Sequence, residues 1–294
     1  MRKRRMKEGL SDRILDAMVT VSMLIMIAVM LYPFIYTISL SLSRPTAVIA
    51  GRVKFLPIGF QLDAYYHVFK EEGIVNGFLI SVFYVVTGTV ALLILASLTA
   101  YPLSLRVFYP KNIIMFLILF TMLFREGMIP RFLWIQALGM LDTVWAIILP
   151  TAMTAWYVII YRTFLQQHPE SLRESALIDG ANDFTILFKI VLPLSKPIIA
   201  TLTVFHMVYH WNSFFPALLY LRSDHLMPVQ MILRRVLVSA IDIEEMLRTG
   251  EEAVTLPLSV QAAFIVVIVF PIIVVYPFAQ KYFTKGVMIG AIKG

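Results

Sequence analysis

The chain has 294 residues, 60% of them hydrophobic and only 15% charged, with no cysteine and a formal net charge of +7. Soluble domains run to about half apolar and about a quarter charged residues, so a water-soluble enzyme is excluded as a first reading. The lack of cysteine removes disulfides, thiolate zinc sites, iron–sulfur clusters and cysteine nucleophiles together. Excess positive charge points to nucleic acid or to anionic lipid until the positions of the charges are known.

A helix needs about 20 mainly apolar residues to cross a bilayer. Read from charge to charge, the chain offers six blocks. The first, Ala17–Ser43, follows the basic run Arg2-Lys3-Arg4-Arg5. Its apolar part is about twice the length of a secretory signal core and no small-residue cleavage pattern follows, so an uncleaved first span is expected. Residues 44–72 contain Pro45, Gly51, Pro57 and Gly59 and should be irregular. Within them Leu62, Tyr65, Tyr66 and Phe69 fall at helical spacing, which predicts a short interfacial helix over 61–72. Gly73–Leu105 is the second block. The third, Asn112–Phe124, has only 13 residues, so its span is extended outward, with Lys111 snorkelling to the interface. Thr143–Tyr161, Pro197–Leu221 and Ala253–Gln280 complete the set. Between the last two, Asp242, Glu244, Glu245, Glu251 and Glu252 form either a solvated face or a site for an extracytoplasmic partner.

The expectation is an all-α, polytopic membrane protein of six transmembrane helices. A cytoplasmic N-terminal segment, 1–16, precedes one membrane domain, 17–294, with spans at about 17–43, 76–101, 108–129, 143–164, 197–221 and 253–280. Pro150, Pro216, Pro271 and Pro277 mark expected kinks. With a cytoplasmic amino terminus, the inner segments 1–16, 106–111, 162–196 and 281–294 hold 15 of the 25 Lys and Arg but 7 of the 18 acids. That is +8 inside and −1 outside, as the positive-inside rule requires, with both termini cytoplasmic in a bacterial-type cell membrane. The positive charge orients the chain and meets anionic lipid. Nucleic acid loses its support as a partner.

The longest inner connection, 162–196, is not loop-like. His168-Pro169-Glu170 reads as a helix start, with proline at the first helical position and Glu170 beside the positive helix end. Gly180 supplies the left-handed residue that ends the helix, and Asn182 caps a second helix running through Phe184, Leu187 and Phe188 towards Leu192-Pro193. Small Ala176 and Ala181 flank the turn and leave room for another protein's surface. A surface or re-entrant helix without a partner fits the same residues.

In the fifth span, His206 and His210 share a helix face four residues apart. No glutamate follows the first and no third ligand is evident, so no metal is expected. Together with Tyr209, Trp211 and Asn212 they place polar and aromatic groups in mid-span, read either as a possible translocation path for a sugar or as helix–helix packing. No Gly-rich loop followed by Lys and Ser or Thr is present, so the chain offers no nucleotide site and no cofactor is expected.

The run ESALIDGANDFTILFKIVLPLSKP resembles the EAA motif of the membrane subunits of ATP-binding-cassette importers. Glu174, Ala176, Gly180, Leu192 and Pro193 match it, with Ser175 in place of the middle alanine. Asp179-Gly180-Ala181, Pro197, Trp211-Asn212-Ser213-Phe214-Phe215 and the tail Lys281-Tyr282-Phe283 to Gly294 are similar to the carbohydrate-uptake branch, with Ser213 where that branch often has Glu. Gly127–Pro130 and Leu138–Thr143 look like the subgroup that handles oligosaccharides. The resemblance implies a non-catalytic permease subunit with a cytoplasmic coupling helix. Its implied partners are a second homologous permease, a dimer of ATP-binding-cassette ATPase subunits that hydrolyse ATP, an extracytoplasmic solute-binding protein and a sugar substrate. It further implies that Glu174, Ser175, Ala176, Asp179, Gly180, Ala181, Leu192 and Pro193 couple the chain to the ATPase, Glu174 through a charge-assisted contact. The alternatives are an independent secondary transporter, which wants mid-span ionisable groups and an internal repeat, and an intramembrane enzyme, for which the two histidines are the only support.

Overall fold

A computed structural model describes residues 10–124, 126–238 and 257–291. The basic run at 2–5 and the acids at 242–252 lie outside these residues. Every regular element among the described residues is helical. Three helices are long and apolar enough to cross a membrane alone, and three bent pairs bring the number of crossings to as many as six. The chain divides into two compact units, one of residues 1–71 and 236–267, the other of 72–235 and 268–294.

The first unit opens with α1 (Leu10–Ser41), whose 32 residues span about 48 Å at 1.5 Å per residue. No residue of its most apolar window is buried. Its end is fixed by hydroxyls: Ser39 Oγ donates to Phe55 O at 2.7 Å, and Ser43 Oγ accepts from the Ile58 amide at 3.0 Å. These bonds fold the following loop back onto α1. Within it α2 (Pro45–Ile49) starts with proline at its first position, where a missing N–H costs nothing. Leu40, Ala47, Val48, Val53 and Ala262 form the small core. The expected interfacial helix is α3 (Asp63–Lys70), with Ala64 and Val68 turned inward. Leu62, Tyr66 and Phe69 are exposed. The stripe read from the sequence is thus the outward face, as suits aromatic rings at a headgroup boundary.

The second unit is built around α4 (Ile74–Ser104), which packs chiefly on α8 (Ala155–Leu165) and α12 (Lys196–Asn212). Its inward positions include Gly77, Ser81, Gly88, Ala96 and Ala100, small residues that let helix backbones approach closely in a membrane. α5 (Lys111–Leu123) is followed after a break by α6 (Met128–Ala137), whose axis differs by 117°. The expected continuous span over 108–129 is therefore corrected. The 13 residues of α5 reach about 20 Å, and Glu126 and Gly127 interrupt the apolar run.

The fourth span is also broken. α7 (Trp145–Ile148) tightens into a 3₁₀ turn at Leu149–Thr151, and α8 resumes after residues 152–154 at an angle of 46°. Pro150 sits in that turn, as expected of a kink. The connection between α8 and α12 holds α9 (Glu170–Ile178), α10 (Asp183–Ile186), a π turn at Leu187–Val191 and α11 (Leu192–Leu194). The expected fifth span, 197–221, is two helices, since α12 stops at Asn212 and α13 (Phe215–Tyr220) restarts with Pro216 in its first turn. α14 occupies 229–238. α15 (Leu258–Ala291) runs unbroken through Pro271 and Pro277.

Two apolar clusters divide the second unit along α4. One, around Leu92, Ala96, Tyr161, Leu165 and Leu202, takes in Ala176, Ile186 and Leu187 of the connection between α8 and α12. The other, around Tyr84, Ile147, Ile148, Ala217 and Tyr220, lies towards the opposite end.

Candidate functional site

α9 begins one residue later than the sequence suggested. Pro169 is the extended residue before the helix (φ −60°, ψ 133°), and Glu170 is the first helical residue. The helix ends as expected: Gly180 has φ +79°, its N–H donates to Leu177 O at 3.0 Å, and the Ala181 N–H donates to Ala176 O at 2.9 Å. This paired-bond stop satisfies carbonyls that the helix end leaves free. Asn182 then accepts from the Thr185 amide at 2.8 Å and caps α10.

The two small residues beside the turn do something other than the sequence suggested. Ala176 is buried against Ile186, Leu187 and Tyr161, and Ala181 packs at the edge of the same cluster. Their size lets α9 lie close on its own chain; Ala176 is turned inward, while Ala181 is only partly buried. Exposed residues of α9 and its turn include Glu174, Ser175, Leu177, Ile178, Asp179 and Gly180, with Ile178 86% exposed. Phe184 and Phe188 extend this surface. Among the described residues Glu174 has no partner, and its carboxylate is free for another chain. Pro193 is exposed and Leu192 half-buried at the far end of the element.

The element is held from behind. Asp183 accepts from Arg173 at 3.1 Å and from Tyr101 Oη at 3.2 Å, linking α9, α10 and the end of α4. Arg106 pairs with Glu170 at 3.2 Å. Arg162 Nε donates to Leu103 O at 2.8 Å, and Lys111 Nζ reaches Leu105 O and Arg106 O at 3.1 Å each. Between these contacts lies a cavity of about 370 Å³, lined by Tyr101, Arg106, Lys111, His168, Glu170 and Arg173 among others. The frame ties α9 to α10 and to the end of α4. Sequence reasoning did not single out Asp183 or Tyr101, because 82 residues separate them and no local pattern joins them.

The five residues of the possible translocation path separate into two groups. His206 and His210 are 1% and 4% exposed and Trp211 is 7% exposed, so these three are packing groups and line no path in this conformation. His206 Nε2 donates to Thr151 O at 3.2 Å, and His210 Nε2 lies 3.4 Å from Thr151 Oγ1. Trp211 Nε1 donates to Ile268 O at 3.1 Å, three residues before Pro271, whose ring disturbs the carbonyls behind it. Tyr209 and Asn212 are exposed and remain available to a path or a partner, although Asn212 Nδ2 also donates to Val208 O at 2.9 Å.

At the opposite end of the unit, Asp142 has φ +57°. Its Oδ1 accepts from the Arg222 and Ser223 amides at 2.8 and 2.9 Å, and its Oδ2 from Ser223 Oγ at 2.6 Å. The Ser223 hydroxyl first, then the Arg222 and Ser223 amides, hold this carboxyl down to about 2. It clamps the loop after α6 to the loop after α13.

A family model described as the binding-protein-dependent transport system inner membrane component matches residues 107–289. The polygalacturonan/rhamnogalacturonan transport system permease protein YtcP of Bacillus subtilis (strain 168) is 41% identical over 97% of this chain and 100% of its own length. Protein LplC of the same organism is 40% identical over 91% of this chain and 90% of its own. A chain from the crystal structure of a bacterial ABC transporter involved in import of the acidic polysaccharide alginate superposes with a TM-score of 0.85 at 35% identity, covering 94% of this chain and 98% of that one. A second chain, from an alginate transporter in complex with its pentasaccharide-bound periplasmic protein, shares the fold at a TM-score of 0.55 and 15% identity. The family model covers most of the chain and the relatives align from end to end, so the chain belongs to the inner membrane components of binding-protein-dependent transport systems and is a multi-pass transport permease.

Proposed function

We propose that the chain forms half of the translocation path of an ATP-driven importer of oligosaccharides, with a second permease forming the other half. The names of its relatives support that substrate class, since those proteins are described as acting on polygalacturonan, rhamnogalacturonan and alginate. A dimer of separate ATPase subunits hydrolyses ATP, and an extracytoplasmic protein delivers the sugar. Residues 1–16 and the carboxyl terminus face the cytoplasm, and 17–294 form the membrane domain.

The single observation that carries the coupling role is the exposed surface of α9 on its braced frame: Glu174 is unpaired, Ile178 is 86% exposed, and the turn at Gly180 is open to solvent. ATP-driven closure of the ATPase dimer moves α9 as a rigid body, and α8 and α12 follow because they flank it in the chain. Glu174 contributes a charge-assisted contact, with Ser175, Asp179, Gly180 and Leu192-Pro193 along the same element. Ala176 and Ala181 support it from within. The test is co-purification of the ATPase with Glu174→Gln and Ile178→Asp permeases. The expected result is weakened retention of the ATPase and lost sugar-stimulated hydrolysis. Unchanged retention in both variants would overturn the assignment.

A further inference from the structure

The fourth span is broken at residues 152–154, which deprives the Thr151 carbonyl of its usual donor four residues on. Inside a membrane such a group must be satisfied by protein. His206 does so: a carbonyl can only accept, so the His206 ring carries its proton on Nε2 and donates at 3.2 Å. His210 stacks edge-on to His206 with ring centroids 4.5 Å apart and reaches the hydroxyl of the same Thr151. That hydroxyl bonds back to Ile147 O and Ile148 O at 3.0 and 3.1 Å. On the third side His210 lies against Gly88 of α4, where any Cβ would collide with its ring. One buried knot therefore joins three helices at the level of the break.

Its position is the informative part. On α4, Gly88 lies between Tyr84 of one apolar cluster and Leu92 of the other. On the fourth span Thr151 lies between Ile148 and Tyr157, and on the fifth His206 and His210 lie between Leu202 and Ala217. The cluster at one end contains the coupling element, and the cluster at the other contains α7 and α13. The break at 152–154 leaves no continuous helix between α7 and α8 to carry a displacement of α8 across it.

We propose that His206 and His210, through Thr151, are positioning residues of the transport cycle, transmitting displacement of the coupling element across the break to α7 and the loop ahead of it. They touch neither ATP nor sugar. Packing alone could be served by any ring of similar size, whereas transmission needs the donor at Nε2.

The experiment uses the assembled complex with its second permease and ATPase, and hydrogen exchange with and without ATP plus vanadate, so no sugar has to be identified. In the wild type, nucleotide alters exchange in both 170–186 and 138–151. In His206→Phe the response at 170–186 persists, and that at 138–151 falls about fivefold to tenfold, the ratio a lost buried hydrogen bond supports. His206→Gln, whose amide nitrogen can replace Nε2, restores it. An undiminished distal response in His206→Phe, no restoration by Gln, or no distal response in the wild type would each overturn the proposal. If His206→Phe does not assemble, Thr151→Val tests the other arm of the knot, since it removes the hydroxyl that meets His210 and keeps the carbonyl that accepts from His206; an undiminished distal response there, or failure of both variants to assemble, also overturns the proposal.

Discussion

Replacing Gly180 separates the strain of a turn from the footprint of a partner. Gly180 has φ +79°, and a Cβ built on it meets nothing within 4 Å. Within this chain an added Cβ therefore costs backbone strain alone, about 1–2 kcal/mol for an L residue in the left-handed region. Ala and Leu share that strain, while Asn adopts this conformation readily. If α9 stood free, Gly180→Leu would do no more harm than Gly180→Ala, and both would stay within about fivefold to thirtyfold of wild type. If the turn is seated in a groove of the ATPase, leucine adds a clash that alanine does not. The expected order in ATPase affinity and sugar-stimulated hydrolysis is wild type, Ala and then Leu, with Leu far below Ala, while Asn, nearly as large as Leu but free of the strain, reports the clash alone. Titration of the ATPase subunit against permease complexes in nanodiscs, with stimulated hydrolysis measured on the same samples, gives both values. Equal affinities for the Ala and Leu variants would refute the reasoning.

Three further outcomes follow from contacts elsewhere. The Asp142 carboxyl is depressed to about 2 from an ordinary 3.8, so its contribution to the clamp is complete above pH 4 and disappears as pH falls towards 2. Amide exchange at Arg222 and Ser223 should accelerate over that window in the wild type and show no such pH step in Asp142→Asn. Gly88→Ala places a methyl group in the His210 ring and should cost about 1–3 kcal/mol as overpacking, whereas Gly127→Ala, whose Cβ meets only Pro130 at an ordinary 3.6 Å, should stay within about 0.5 kcal/mol; thermal melting of the detergent-solubilised complex compares them. Trp211→Phe keeps a ring but strips the donor from Ile268 O, and the same melts should show a loss of about 1–3 kcal/mol.

What the sequence disclosed depended on the range of the signal. α1, α4 and α15 were visible because each is a long run of apolar side chains, and that run is itself the reason a bilayer accepts the helix. The stop at Gly180 and the cap at Asn182 were visible because both are decided within about four residues. The breaks in the third, fourth and fifth spans were not, since apolar composition measures how much chain prefers lipid and says little about whether it is straight. Pro150 and Pro216 hinted at two of them, but Pro271 and Pro277 lie in an uninterrupted helix, so proline alone does not separate the cases. Spacing correctly put His206 and His210 on one face and could not say what that face meets. The direction of Ala176 was misread for the same reason: smallness permits close approach, and only the fold decides from which side.

α1 also has a consequence for how the protein is made. Among the described residues none along its most apolar stretch is buried, so it can enter the bilayer as soon as the ribosome releases it. α4 and α15 are likewise long enough to cross alone. The half-helices α5 and α6, and α7 and α8, cannot do so, because each is shorter than the hydrocarbon layer and exposes backbone at its break until a neighbour supplies donors. Biogenesis therefore has an order, with α4 placed before the broken spans that follow it and pack on it. The fourth span, whose partner His206 is synthesised about 55 residues later, is the point at which membrane quality-control proteases would find an unfinished chain.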